Sequence, residues 1–227
     1  MISSAETQSS KGAEGGHSIR VDESEGIAYL TLDAPPENMM DRRFFTDFAE
    51  LTERVLPRLQ VEGLIVQGAG KHFSAGADLS ELKPSVARHH DSHEAFFQRN
   101  VSAFHALTNL SFPVVAVVRG CCLGSGFELA LACHFRLATP RAVFALPETQ
   151  FSLIPGCGGT VRLPELTGSA KAIELILTGR SILAPEALEH GIVDKIVDRK
   201  EILQTAEKLI RRLHRTQEAA SGAHSSR

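Results

Sequence analysis

Residues 113–160 read PVVAVVRGCCLGSGFELALACHFRLATPRAVFALPETQFSLIPGCGGT. The run opens with Val114–Val118, apolar and β-branched, which predicts a buried strand. Gly120 breaks it. After Leu123-Gly124-Ser125-Gly126 comes Phe127-Glu128-Leu129-Ala130-Leu131-Ala132-Cys133. That segment has good helix formers and few β-branched residues, so it predicts a helix, and its apolarity on nearly every face marks the helix as buried. Glu128 does not belong in such a setting. Farther on, Glu148 follows a second apolar run, Phe144-Ala145-Leu146-Pro147. An unpaired buried carboxylate is costly, so it is seldom kept for packing alone. Apolar surroundings also raise a carboxyl pKa toward neutrality, which suits general acid–base work.

The glycines supply a second element. Backbone N–H groups at a helix start lack intrahelical acceptors and sit at the positive end of the helix dipole. Gly124-Ser125-Gly126 lets a substrate oxygen approach such groups closely, and Ala75-Gly76-Ala77 offers another such place. Two N–H donors converging on one carbonyl oxygen make an oxyanion hole. The bland alternative is a pair of turns needed only to reverse the chain.

Outward from this stretch the chain alternates strand and helix patterns. Ser18–Val21 and Gly26–Leu32 predict two strands joined by a turn at residues 22–25. Ala34-Pro35-Pro36-Glu37-Asn38 is a loop. Asp41 can cap a helix from Arg42 to about Leu59, with Phe44, Phe48, Leu51 and Val55 on one face. Gly63–Val66 is a strand. His72–Asp78 has no clear period, and Asp78 opens a short helix. His89–His93 is polar and reads as a mobile loop, and Ala95–Leu110 as a helix. Beyond residue 160, Ser169 caps a helix over Ala170–Leu177 that ends at Gly179. Pro185–Glu189 is helical, Ile192–Val197 strand-like, and Lys200–Leu213 an amphipathic helix. The class is α/β with a mainly parallel sheet.

The 227 residues suffice for one domain with a sizeable core. A net charge of −3 gives no basic field, so nucleic acid is not an expected partner. No apolar run reaches the roughly 18 residues of a membrane span. Residues 1–17 have neither the apolar core of a signal peptide nor the Arg-rich character of a transit peptide, and they read as a disordered tail. Cys121, Cys122, Cys133 and Cys157 form no CxxC pair, which suits reduced thiols in a cytoplasmic protein. Ser125 has Leu123 and Phe127, not glycines, at its second neighbours, so it is no hydrolase elbow. Gly156–Thr160 lacks the lysine of a P-loop, and no GxGxxG follows a strand. His89 and His93 with Asp91 could share a metal only on a helix; no metal site is expected.

Four segments in register carry a resemblance: His72–Leu79, Leu123–Ala130, Leu146-Pro147-Glu148 and Ile154–Thr160. Together with Leu177–Arg180 and Ala184–Val197, they resemble the crotonase (enoyl-CoA hydratase/isomerase) superfamily over roughly Ser18–Val197. The resemblance implies a spiral of stacked ββα units, assembled as trimers or pairs of trimers. The crotonase-like core is expected at 18–198, and the sequence pattern beyond it predicts a C-terminal helix at 199–216 and a disordered tail at 217–227. It implies an acyl-CoA thioester substrate, with its carbonyl oxygen held by the N–H groups of Ala75 and Ser125. Ala75, Gly76, Ala77, Asp78 and Gly124 would line the substrate groove. Glu128 would help activate water for attack at Cβ, and Glu148 would deliver a proton to Cα. The expected activity is hydration or dehydration of an enoyl thioester, with no cofactor beyond the CoA of the substrate. Alternatives are an isomerase or decarboxylase, a carrier-protein-tethered substrate, or a non-catalytic acyl-CoA-binding subunit. Two departures stand out. Ser125 replaces the usual middle glycine of a Gly-Gly-Gly run. The helical region after Val197 is short, so the Lys200–Leu213 helix is expected to give the acyl pocket whatever cover it has.

Overall fold

A computed structural model describes residues 18–78, 80 and 90–224. The expected N-terminal tail, Leu79 and His89 lie outside the described residues, as do 225–227. Two strands, β1 (Ile19–Ser24) and β2 (Ile27–Leu32), form a hairpin in the register Ser24↔Ile27. The turn is shorter than the expected 22–25: only Glu25 and Gly26 lie between the strands, both at positive φ, as a tight right-twisted hairpin requires. After it come β3 (Gly63–Gly68), β4 (Val114–Val118), β5 (Cys121–Leu123), β6 (Phe135–Ala138), β7 (Val143–Ala145), β8 (Ile182–Leu183) and β9 (Lys195–Ile196). The large sheet has the order β1-β2-β3-β4-β6-β9 and is parallel from β2 onward; β5, β7 and β8 form a small one.

The helices are α1 (Arg42–Glu50), α2 (His90–Thr108), α3 (Ser125–Ala132), α4 (Gly159–Thr167), α5 (Ser169–Thr178), α6 (Ala184–Glu189) and α7 (Ile202–His224). Two ββα turns are plain: β4-β5-α3 and β6-β7-α4, each with one strand in the large sheet and the next in the small one. Ser74 pairs with Cys122, so the segment after β3 joins the small sheet in the same way. That stacking is the expected spiral.

Asp41 caps α1 as expected, accepting from Phe44 N–H at 2.6 Å. The helix does not run unbroken to Leu59. It widens into a π turn at Leu51–Val55 and tightens into a 3-10 turn at Leu56–Arg58, because Pro57 has no N–H to continue the α ladder. Val55 is consequently exposed rather than on the buried face. Residues 90–93 are helical, not loop, and begin α2. Gly168, not Ser169, is the cap residue of α5.

Apolar side chains fill both faces of the large sheet. Alternate β4 residues Val114, Ala116 and Val118 face the helices α1–α3, while Val115 and Val117 face α7. The apolar stripe of α7, Ile202, Ala206 and Ile210, is fully buried against Ile27, Ile65 and Leu137. Burying each large side chain of this kind contributes about 1.5–3 kcal/mol. The helix thus covers the chain's own core on the sheet face away from α3, and it continues to His224, past the expected end near residue 216.

Candidate functional site

A cavity of about 750 Å³ opens between α2, the segment after β3, the start of α3 and the segment that joins β7 to α4. Its walls are mostly apolar. Ala75, Ala77, Asp78, Gly124, Ser125, Glu128 and Glu148 all line it, so six of the expected site positions beyond Ala75 meet in one place. Gly76 is not in the lining. Its φ of +92° and the 2.7 Å that a Cβ there would leave to Leu123 O make it the point where the two glycine turns press together. Among the described residues none of α7 lines the cavity, which corrects the expectation that this helix covers the acyl pocket: its apolar stripe is already committed to the large sheet.

Gly124 carries the strained conformation at φ +51°, and its N–H donates to Ala145 O at 2.9 Å. Ser125 is already helical, so the serine at the middle glycine position costs nothing in backbone strain. As the first residue of α3 its N–H has no acceptor among the described residues. The other expected donor is corrected. Ala75 N–H is spent on Glu37 O at 2.8 Å, whereas Ala77 N–H, two residues on, has no partner among the described residues. Asp78 N–H bonds Met40 O and Met40 N–H bonds Gly76 O, which fixes Ala77 between two anchored neighbours. The available pair of donors is therefore Ala77 and Ser125.

Glu128, in the first turn of α3, is 1% exposed. Its Oε1 accepts from Cys157 N–H at 2.7 Å and Gly159 N–H at 2.8 Å. Burial pushes its pKa up, while those two N–H groups and the nearby Arg162 charge oppose the rise. Glu148 lies in a 3-10 turn, Pro147–Phe151, closed by Ser152 in the left-handed region. Burial raises its pKa to about 7, held back by its own backbone and helped by the Glu128 charge. Each carboxyl keeps a buried Oε2 without a hydrogen-bond partner among the described residues. Buried polar atoms are normally satisfied, so two orphaned oxygens in one cavity mark places for water or substrate. Asp78 is different: its Oδ1 accepts from Ser80 N–H and Oγ, which lowers its pKa and gives it a capping role at the cavity edge.

Three further residues were not foreseen. Asn38, 1% exposed and at φ +51°, donates from Nδ2 to Ala69 O, His72 O and Phe73 O, pinning the turn after β3. Ser74 Oγ donates to Asn38 O at 2.7 Å and accepts from Gly76 N–H at 3.0 Å, which shapes the segment that carries Ala77. Arg162 Nη1 donates to Cys157 O at 2.8 Å. The only sequence signal for the first two is a polar residue beside a Gly- or Pro-rich loop. Among the described residues no group of three His, Cys, Asp or Glu is placed to hold a metal, and His89 is not among them. All four cysteines are free. Among the described residues no helix is long and apolar enough to cross a membrane.

Solved structures similar to this one include Pseudomonas aeruginosa DspI (33% identity, TM-score 0.79, covering 91% of this chain and 84% of that one). An enoyl-CoA hydratase from Bacillus anthracis has 30% identity and a TM-score of 0.78, covering 93% of this chain and 85% of its own. Among curated proteins, the fatty acid oxidation complex subunit alpha of Shewanella loihica is 43% identical over 186 residues, 80% of this chain. The match spans only 26% of that relative's length. The α/β crotonase-like fold is thus common to this chain and its solved neighbours. Residues 22–225 match the Enoyl-CoA hydratase/isomerase family, and the chain belongs to it.

Proposed function

We propose that the chain is an enoyl-CoA hydratase, adding water to, or removing it from, the α,β double bond of an acyl-CoA thioester. The observation that carries this reading is the pair of orphaned carboxylate oxygens, Glu128 Oε2 and Glu148 Oε2, in one cavity with two unspent N–H donors. In the hydration direction Glu128 takes a proton from water as its oxygen bonds to Cβ. The double-bond electrons shift toward the thioester, and the negative oxygen is held by Ala77 and Ser125 N–H. Glu148, poised to titrate near neutrality, gives a proton to Cα. No cofactor is needed beyond the CoA of the substrate. Retention of both carboxyls favours hydration over isomerisation, for which one would serve.

The same reading includes assembly and place. Ile173 and Leu177, one turn apart on α5, are 54% and 68% exposed, and Val161 on α4 is 60% exposed. Apolar side chains this bare support contact between subunits, as in a trimer or a pair of trimers. Four free thiols support the cytoplasm. The cavity mouth, with Phe151 and Ile154 exposed, supports acceptance of bulky acyl groups. The reading is tested by hydration of crotonyl-CoA and of a panel of branched and aromatic enoyl-CoAs. Turnover should fall by about two to four orders of magnitude in Glu128→Gln, with acyl-CoA binding kept. No hydration of any panel member would overturn the reading.

A further inference from the structure

Glu128 is held by the N–H groups of Cys157 and Gly159, and that loop is held in turn by Arg162. Arg162 stands in the first turn of α4 and is half-buried. Its guanidinium lies directly over Gly158, where any Cβ would overlap Nη1, and Gly158 also has φ +102°. Gly159 is also tight, since a Cβ there would stand 3.0 Å from Glu128 Oε1. Two successive glycines thus let the backbone fit between an arginine and a carboxylate. Arg162 has no ion pair within 4 Å among the described residues, yet half-buried charges are normally balanced. The carboxylates whose charge it feels are Glu128, across the loop, and Glu165 on its own helix.

We infer that Arg162 is a positioning residue for hydration: it braces the Cys157–Gly159 loop whose N–H groups hold Glu128, and it places a fixed positive charge across that loop from the water-activating carboxyl. The inference rests on the reading of Glu128 as the base. The charged and titratable groups around Glu128 are few. Arg162 comes from α4, Cys157 from the loop before it and Glu148 from the neighbouring 3-10 turn. Beneath α3, β5 brings Cys122, which couples to Cys133 and Cys121 rather than to the carboxylate. From α2 the cavity receives the neutral Asn100. Among the described residues Arg162 is the only cation in this set. A fixed positive charge near a carboxylate stabilises its ionised form, while burial and the second carboxyl both favour protonation.

Two substitutions separate the charge from the brace. Arg162→Gln removes the charge and leaves a shorter polar amide; Arg162→Lys keeps the charge and loses the planar fork. In Arg162→Gln the acid limb of the kcat/KM profile should move up by about one pH unit or more. On the acid side of the limb kcat should fall about tenfold while KM stays within about twofold, since the effect reaches the chemical step and not binding. In Arg162→Lys the limb should stay at its wild-type position. A purely structural arginine would lower melting temperature in both variants and leave the limb where it was. An unmoved limb in a folded Arg162→Gln overturns the inference, and so does a Lys variant whose limb moves by a full unit, whether or not the Gln variant folds. Glu128→Gln is the control. If it is inactive while Arg162→Gln keeps the wild-type profile, only the inference fails; if it is fully active, the reading of Glu128 fails and the inference with it.

Discussion

Replacing Glu148 by glutamine should cost activity and change stability in a pH-dependent way. The carboxyl ionises near its ordinary 4.5 in the unfolded chain and at about 7 in the folded one. Below 4.5 both states hold the proton, and the group contributes nothing to the pH dependence. Between 4.5 and 7 the unfolded state releases the proton while the folded state keeps it, so stability falls as pH rises. Above 7 the loss is constant. The gap between 4.5 and about 7 corresponds to about 3 kcal/mol as an upper bound. Partial exposure of the side chain reduces this, and about 1–3 kcal/mol is expected.

Glutamine cannot ionise, so the variant lacks this loss. Its amide will also lack a partner where Glu148 Oε2 lacks one, but that cost does not vary with pH. The quantity to read is therefore the change in the stability difference between pH 5 and pH 9. Urea unfolding at both pH values gives it. The variant should gain about 1–3 kcal/mol on the wild type across that interval, while its turnover drops by about two to four orders of magnitude. Thermal scans should show the same trend, at about 2–4 °C per kcal/mol for a chain of this size. Parallel stability curves across the whole range would refute the claim that burial holds the Glu148 proton.

Three other outcomes are expected. With Glu128→Gln in deuterated water, hydration should be lost while Cα hydrogen exchange persists through Glu148; mass spectrometry of the recovered acyl-CoA reads this, and loss of both together would refute the division of labour. Asn38→Ala removes three hydrogen bonds to the turn after β3 and should destabilise the fold by about 3 kcal/mol in chemical denaturation. Light scattering should give a trimer or a pair of trimers at micromolar concentration and a smaller species for Leu177→Asp, since that side chain is 68% exposed on the chain itself; a wild-type monomer would remove the assembly proposal.

The spiral was legible in the sequence wherever an element is long and one-sided. Val114–Val118 and Phe127–Cys133 announced themselves because both are buried nearly throughout. The short strands β5, β6, β7 and β8, two to four residues each, were not distinguished from the loops around them. A strand of that length has no room for a period, and its pairing is set by partners far away in sequence. Cys121–Leu123 pairs in parallel with Val143–Ala145 across a helix, which no local pattern reports. The break after Glu50 was missed for a local reason, since Pro57 interrupts a hydrophobic pattern that otherwise reads as continuous.

At the site, the two carboxyls were legible, and the free N–H lies two residues beyond the expected one. Carboxylates in apolar runs are conspicuous because they violate the ordinary rule of burial. An N–H group is carried by every residue except proline, so which one is free depends only on which acceptors the fold brings near. Glu37 O arrives from the loop before α1 and takes Ala75 N–H; Met40 arrives from the same loop and brackets Ala77 without using it. Asn38 sets that loop, and it does so through three carbonyls more than thirty residues away. The free donor at Ala77 is thus a consequence of a buried asparagine in a proline-rich loop. Such a dependence between distant segments is visible only once the segments touch.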